Sequence, residues 1–511
     1  MIFCSVLSRR TDAGFSKETP EAPDFFVDLN LDQIIDAITV GKDEYNLKPF
    51  FHTSLNDVDE ILYRQEVMRD LENRPINEAI ETFAQKMQTM RQHIALENKL
   101  HYARQKERWF LDAVEIYCDA VQSLARDISV LEVKSRGLVS FCTYLAGYAA
   151  SEGFSSLLAQ TKKLQADLPS VQYCTLVSAG RVRVRKYESE IDYSAEVERT
   201  FEKFNQGAVK DYLTKFRNGS DMNHVEAQVL DLVARLHPEI FQDLDDYCAR
   251  NAGYLDETVA AFDREVQFYI SYLDFIAGVK RVGLQFCYPS VSDIRKEVSC
   301  SEGFDLALAR KLAAEDSSPV CNDFCLNGRE RIFIVSGPNQ GGKTTFARAF
   351  GQMHYLASLG CPVQGREVRL LLFDKLFTHF EKEEDIRNLR GKLEDDLVRI
   401  HRILREATSN SVIIMNEIFN STTLKDAIFL GKKVMERIIQ LDLVCICVTF
   451  IDELSTMSDK TVSMVSTVDP GNPAVRTYKV VRKRADGLSY AISLAEKYRL
   501  TYDFLRERIL S

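Results

Sequence analysis

Hydrophobic and polar positions follow two periods along the chain, and the switches between them divide it. From Asp57 to Leu71, Val58, Ile61, Leu62 and Met68 recur at helical spacing. The stretches 76–100 and 103–132 keep that period with almost no glycine or proline. They predict extended amphipathic helices rather than a compact globule. Before them, Leu29, Leu31, Ile34, Ile35 and Ile38 mark a short helical segment, and the polar residues 1–22 read as a loose tail. At Pro169 the period falls to two. Residues 171–177 and 181–187 alternate as strands do, joined by Ser178-Ala179-Gly180, so a β-hairpin is predicted at about 170–190, inserted between helices. Helical spacing resumes from about Ser194 to Lys280, with Tyr254–Phe275 aromatic at core positions.

Residues 281–330 read as a connector, with a strand at Gly283–Tyr288 and a break at Pro289. Beyond it, short apolar runs alternate with helical patterns. Strands are predicted at 331–335, 373–380, 411–415, 443–449, 461–467 and 476–482, which makes the last third an α/β domain with a mainly parallel sheet. No internal repeat interrupts this order.

Composition narrows the picture. A chain of 511 residues has room for two to four domains, and 45% apolar with 27% charged residues is ordinary for a soluble protein. No apolar run reaches the roughly 18 residues of a membrane span, and the first ten residues are too short and wrongly ordered for a secretory signal. Twelve cysteines without a Cys-x-x-Cys pair read as reduced thiols, hence a cytoplasmic protein. A net charge of −10 argues against nucleic-acid binding over the whole surface, so any DNA contact has to be a local basic patch. The hairpin offers one: Arg181, Arg183 and Arg185 share a face by alternation, with Lys186 next to them. That pattern fits a phosphate-contact stripe. It equally fits a solvated edge strand kept soluble by charge, since Glu188 and Glu190 crowd in.

The densest chemistry lies at 331–345. An apolar strand runs into Gly337-Pro-Asn-Gln-Gly-Gly-Lys-Thr344, which fits the phosphate-loop pattern G-x-x-x-x-G-K-[ST] at every fixed position. Gly337, Gly341 and Gly342 permit the tight turn that converges backbone N–H groups on phosphate oxygens. Lys343 supplies a point charge for the β/γ-phosphates, and the Thr344 hydroxyl can ligate Mg²⁺. A helix from Thr344 to Leu359, closed by Gly360, would direct its N-terminus at the anion. Later, the apolar run Ser411–Met415 ends in Asn416-Glu417, where phosphate-loop ATPases carry a metal contact and a catalytic carboxylate. Asn416 would contact the metal without charge, and Glu417 would orient the attacking water. The alternative for this pair is an N-cap, a role the run Asn420-Ser-Thr-Thr serves better.

Taken in order, Gly337–Thr345, Asp374-Lys-Leu-Phe-Thr-His379, Asn416-Glu-Ile-Phe-Asn-Ser-Thr-Thr-Leu-Lys-Asp426, Val448-Thr-Phe-Ile-Asp-Glu-Leu454 and Arg484-Ala-Asp-Gly-Leu-Ser-Tyr-Ala491 resemble the ATPase domain of the MutS family of DNA mismatch-repair proteins. The resemblance is strong in the last 200 residues and weak from about residue 30 onward, where Asp57–Val67 resembles the start of the family's core and lever helices. It implies a multidomain fold: a tail at 1–22, a mainly α-helical core and lever region at 23–280 with a small β insertion, a connector at 281–330, and an α/β P-loop ATPase domain of ABC type at 331–511. It also implies ATP and Mg²⁺ as cofactors, with Gly337, Pro338, Asn339, Gln340, Gly341, Gly342, Lys343, Thr344 and Thr345 binding nucleotide. Thr344 and Asn416 would hold the metal, and Glu417 and Lys343 would be catalytic. The implied activity is ATP hydrolysis whose nucleotide state controls clamping on DNA in mismatch repair or related repair. A homodimer is implied too, with Leu488–Ile509 as a helical dimerisation piece or simply the domain's closing helices.

The departures are specific. Asn416 stands for the usual aspartate, Phe450 for a histidine that would sense the γ-phosphate, and Gly391–Leu397 for the Ser-Thr-Phe signature that caps a partner's nucleotide, although Lys392 offers a charge there. No stretch resembles the family's mismatch-reading domain or the connector domain after it. The alternatives are therefore a nucleotide-binding switch or scaffold with weak hydrolysis, and a factor for recombining or branched DNA. A separate repair protein could then supply mismatch reading.

Overall fold

The computed structural model describes residues 3–9, 19–190, 222–381 and 391–485, together with Glu196, Val197, Arg199, Thr200, Tyr502 and Arg506. The chain divides into two compact units. One holds Phe3 with Arg74–Val133 and Val139–Asp263; the other holds Cys4–Asn73, Lys134–Leu138 and the chain from Arg264 on. The division thus differs from a break at 280/281. Helical spacing along 57–71 is the same whichever partner it packs on, so periodicity alone could not assign this segment to the second unit.

The first unit is built on two long helices, Arg74–Glu97 and Ala103–Ser129. Ile76, Ile80, Phe83, Met87 and Met90 are buried on the first, and Val114, Tyr117, Val121 and Leu124 on the second. Each fully buried side chain of this kind contributes about 1.5–3 kcal/mol. Shorter helices complete the unit. Glu152–Asp167 starts at Ser151, whose side chain accepts from the Phe154 N–H, and His224–Leu236 starts in a capping box between Asn223 and Glu226. The predicted hairpin is Tyr173–Ser178 paired antiparallel with Arg181–Lys186. Ala179 and Gly180 turn it at φ 45° and 75°, the two positive values a tight twisted hairpin requires. Val184 packs against Val233 and Ala234 of His224–Leu236 and against Phe241 of the next helix, Pro238–Arg250.

The second unit carries a six-stranded sheet, whose strands are numbered here in chain order: β1 (Ile332–Ser336), β2 (Leu376–His379), β3 (Val412–Asn416), β4 (Val444–Val448), β5 (Thr461–Asp469) and β6 (Asn472–Arg482). Their order is β2-β3-β4-β1-β5-β6, all parallel except the β5–β6 hairpin. Every residue of β1 and β4 is buried, as expected for parallel strands covered on both faces. On one face Ile332, Ile334, Ile413 and Cys445 pack against helices α2 (Lys392–Glu406) and α3 (Leu424–Leu441), numbered after α1 (Lys343–Ser358). On the other face Phe333 meets Phe350 of α1.

Two expectations change. Residues 281–330 do more than connect: Ser290–Ser292, Val298–Gly303 and Asn322–Leu326 form a four-stranded sheet with Glu367–Leu371, and Leu306–Ala313 is a helix. These strands alternate irregularly and pair across long sequence distances, which leaves little local signal. Nor is the first part of the 1–22 tail loose. Val6 and Leu7 are fully buried, and side chains satisfy the backbone: Glu265 accepts from Ser5 Oγ and Val6 N, Tyr63 donates to Ser5 O, and Arg64 Nε donates to Leu7 O at 2.9 Å. Residues 10–18 lie outside the described residues, as does nearly all of the predicted C-terminal piece at 488–509.

Arg64 links this N-terminal strap to α1. Its Nη1 donates to Leu359 O at the end of that helix, at 3.2 Å. Gly360 follows with φ 79°, and a Cβ there would sit 2.6 Å from Arg64 Cβ. Only glycine permits this approach.

Candidate functional site

The site lies at the C-terminal ends of β1 and β3, where parallel sheets present their loops. After Ser336 the chain turns through Gly337–Gly342 and enters α1 at Lys343, with Gly337 at φ 117° and Gly342 at φ 88°. The loop is held from beneath by Ser466 of β5. Its Oγ donates to Gly341 O at 2.6 Å, and Ser466 itself is fully buried. A Cβ on Gly337 would come within 2.7 Å of Ser466 O, and one on Gly341 would collide with Ser466 Oγ. Gly337 is therefore required by close packing and by backbone angle, Gly341 by close packing, and Gly342 by backbone angle.

Lys343 is buried at the start of α1. Its Nζ donates to Gly337 O and Pro338 O, both at 3.0 Å, and to Asn339 Oδ1 at 3.4 Å, all neutral acceptors. Burial pushes the amine below its ordinary value; Glu417 opposes that shift and the charge of Arg476 adds to it. The Phe450 ring, half exposed, lies 4.7 Å from Nζ, so the departure at this position puts an apolar face over the lysine.

Thr344 Oγ1 donates to Asn416 Oδ1 at 2.9 Å. These are the two residues assigned to the metal from sequence. As neutral, hard oxygen donors they fit Mg²⁺, with waters and phosphate oxygens filling the other positions. Glu417 follows in the left-handed region at φ 55°; its N–H is fixed to Val448 O at 2.9 Å and its carboxylate accepts from Asn420 Nδ2 at 3.1 Å. A strained residue held by both backbone and side chain is a recurrent feature of active sites. The helix that follows is capped by Thr423, so Asn416 and Glu417 do not serve as its cap.

Asn339 to Thr345 and Glu417 line one cavity of about 640 Å³, together with Asp305, Leu308, Val320 and Tyr478. That volume suits a nucleotide-sized ligand. A slightly larger cavity, about 700 Å³, contains no residue of the loop, so size alone does not single out the site. Ser466, Arg476 and Tyr478 were not evident from sequence. Arg476 Nε donates to Asn339 O at 3.2 Å, and nothing in its local pattern marks it.

The remaining candidates fall elsewhere. Lys392 opens α2 and is ion-paired with Glu381 of its own chain. On the hairpin, Arg181, Arg183 and Arg185 stand opposite Ser178, Leu176 and Cys174 and share one face, whereas Lys186 opposite Tyr173 lies on the other. Arg185 pairs with Glu190 at 2.6 Å. Among the described residues no helix is long and apolar enough to cross a membrane.

Comparison with known proteins adds a family. A family model described as MutS domain V matches residues 333–506. Proteins described as DNA mismatch repair protein MutS are similar over about half of this chain. That of Rickettsia rickettsii (strain Sheila Smith) is 25% identical over 250 residues, 47% of this chain and 27% of the relative. That of Syntrophomonas wolfei is 26% identical over 285 residues (54% and 32%), and that of Chlorobium phaeovibrioides 26% over 299 residues (58% and 32%). The chain thus spans about a third or less of the length of these curated relatives. The glycine loop thus lies in a stretch that matches MutS domain V, and the chain is similar to MutS proteins over about half its length.

Proposed function

We propose that this chain binds ATP with Mg²⁺ and hydrolyses it, and that its nucleotide state controls clamping on DNA in mismatch repair or a related repair process. The observation that carries the proposal is Lys343: a buried amine with only neutral partners, at a helix N-terminus beside a nucleotide-sized cavity. A buried cation whose hydrogen bonds all go to neutral groups is costly, the Glu417 charge offsets that burial only in part, and a bound polyphosphate would supply a direct counter-charge. In this reading the loop N–H groups and Lys343 hold the β- and γ-phosphates, and Asn339 and Thr345 add contacts. Thr344 and Asn416 hold the metal, which when bound would neutralise phosphate charge. Glu417 orients and polarises the attacking water. Arg181, Arg183 and Arg185 are the proposed DNA-phosphate contacts, with Lys186 on the opposite face, and the working form is a homodimer.

A second reading, a nucleotide-binding switch with weak hydrolysis, is favoured by two specific features: the uncharged Thr344–Asn416 pair and the Phe450 ring over Lys343. Titration with a fluorescent ATP analogue, with Mg²⁺ or EDTA and with or without duplex DNA across a salt series, tests the common core. Saturable binding, strengthened by Mg²⁺ and weakened about tenfold or more by Lys343→Ala, is expected. Wild-type protein that binds no nucleotide would end both readings. DNA binding indifferent to nucleotide would end the clamp.

A further inference from the structure

The turn after β3 is apolar in its middle and polar at its ends. Ile418 and Phe419 are buried in the core that includes Val434 and Met435 of α3, whereas Glu417 is half-buried and Asn420 exposed. Glu417 and Phe419 both adopt the left-handed region, at φ 55° and 62°. Neither is glycine, so the turn is strained, and the buried pair at its centre fixes it. The reversal returns the fourth residue to the first. Asn420 Nδ2 donates to Glu417 Oε2 at 3.1 Å.

Capping the next helix is the other use for Asn420, at the head of Asn420-Ser-Thr-Thr. The structure gives that role to Thr423, whose side chain accepts from Asp426 N. Among the described residues, no group other than Asn420 bonds the Glu417 carboxylate. An ionised carboxylate only accepts, so the amide presents its nitrogen to Glu417. With Oε2 held, Oε1 is left for water. At an exposed position such a bond adds little to folding. What it removes is the rotational freedom of a carboxylate that has to meet water in one orientation. Glu417 lines the nucleotide-sized cavity and Asn420 does not, so Asn420 would act only through its partner.

We infer that Asn420 is a positioning residue for hydrolysis: it holds one oxygen of Glu417 so that the other receives the attacking water. This rests on the hydrolysis reading above and adds to it a residue to which the resemblance assigns no role.

The experiment compares kcat and nucleotide affinity for wild type, Asn420→Ala, Asn420→Asp, Asn420→Gln, Glu417→Ala and the double variant Glu417→Ala with Asn420→Ala. Thermal unfolding controls for folding. Asn420→Ala is expected to lower kcat about five- to tenfold while the Kd for ATP stays within about twofold. Asn420→Asp keeps the shape but replaces the donor by a like charge, and is expected to lower kcat at least as much. Asn420→Gln keeps the amide donor and should recover part of the loss. In the Glu417→Ala background, Asn420→Ala should change nothing further. A wild-type kcat in Asn420→Ala, an equal loss with and without Glu417, or a loss of affinity that matches the loss of rate would overturn the inference. Turnover absent from wild type, or left unchanged by Glu417→Ala, would instead overturn the hydrolysis reading, and this inference with it.

Discussion

Thr344 donates its hydroxyl hydrogen to Asn416 Oδ1 at 2.9 Å, joining the first turn of α1 to the end of β3 with no net charge between them. Where phosphate-loop ATPases carry a carboxylate, this chain closes the same geometry with an amide.

Asn416→Asp keeps that geometry and adds a charge. A hydrogen bond and metal contact to a carboxylate exceed those to an amide by about 1 kcal/mol, so turnover is expected to rise about fivefold and half-activation to need less Mg²⁺. Steady-state hydrolysis across a Mg²⁺ series checks this. An unchanged or lower rate would show that the missing charge does not limit the site.

The packing of Ser466 under the loop predicts unequal effects of two alanines. Gly337→Ala meets the Ser466 backbone and a positive φ, together costing about 2 kcal/mol or more. Gly341→Ala meets the Ser466 hydroxyl, which Ser466→Ala removes, and Pro338 O at 2.9 Å, which it leaves in place. Nucleotide affinity should fall in both single variants and recover in part only for Gly341→Ala with Ser466→Ala. Equal recovery in both pairs would contradict this packing account.

Arg64 is buried and donates to Leu7 O and Leu359 O from two different nitrogens. Arg64→Met leaves both carbonyls unpaired and is expected to destabilise the second unit by about 2–4 kcal/mol. Arg64→Lys should rescue little, because one amine does not reproduce the fork. Thermal unfolding with native-state proteolysis of the N-terminal segment measures both. A lysine variant with wild-type stability would count against the bridge.

In the first unit, Arg104 bonds both Glu107 and Asp245. Burial, then the hydrogen bond with Asp245, pushes the Glu107 carboxyl up from 4.5 to about 7. A raised folded-state value means the fold favours protonated Glu107. Its stabilisation is complete below about pH 4.5 and is lost as pH climbs through about 7. Stability of the wild type should therefore decline between pH 5 and pH 8 relative to Glu107→Gln, measured by thermal unfolding at each pH. Parallel pH profiles would show that Glu107 is not the titrating group.

The last third of the fold was legible because its parallel strands are unbroken apolar runs, each ending at a distinctive turn. Observed β3 and β4 differ from their predicted spans by a residue at each end or less. Val298–Gly303, Asn322–Leu326 and Glu367–Leu371 were not, because their pairing is non-local and their patterns mix polar and apolar residues. The same contrast holds at the site. Gly337–Thr345 and Asn416–Glu417 are contiguous and carry their own signal. Ser466 and Arg476 reach the loop only because β5 lies beside β1 and turns back into β6, which sequence spacing does not reveal. The strap at Ser5–Leu7 was hidden for another reason: side chains rather than a strand or helix satisfy its backbone.

The proposed activity is DNA-coupled hydrolysis in which Glu417 activates water. The steady-state ATPase rate of wild type and Glu417→Ala, with and without duplex DNA at low salt, tests it most directly. Hydrolysis that DNA alters and that Glu417→Ala lowers about a hundredfold or more, with nucleotide binding retained, is expected. Tight nucleotide binding with a rate indifferent to both DNA and Glu417 would contradict it, leaving the nucleotide-binding switch as the function this site supports.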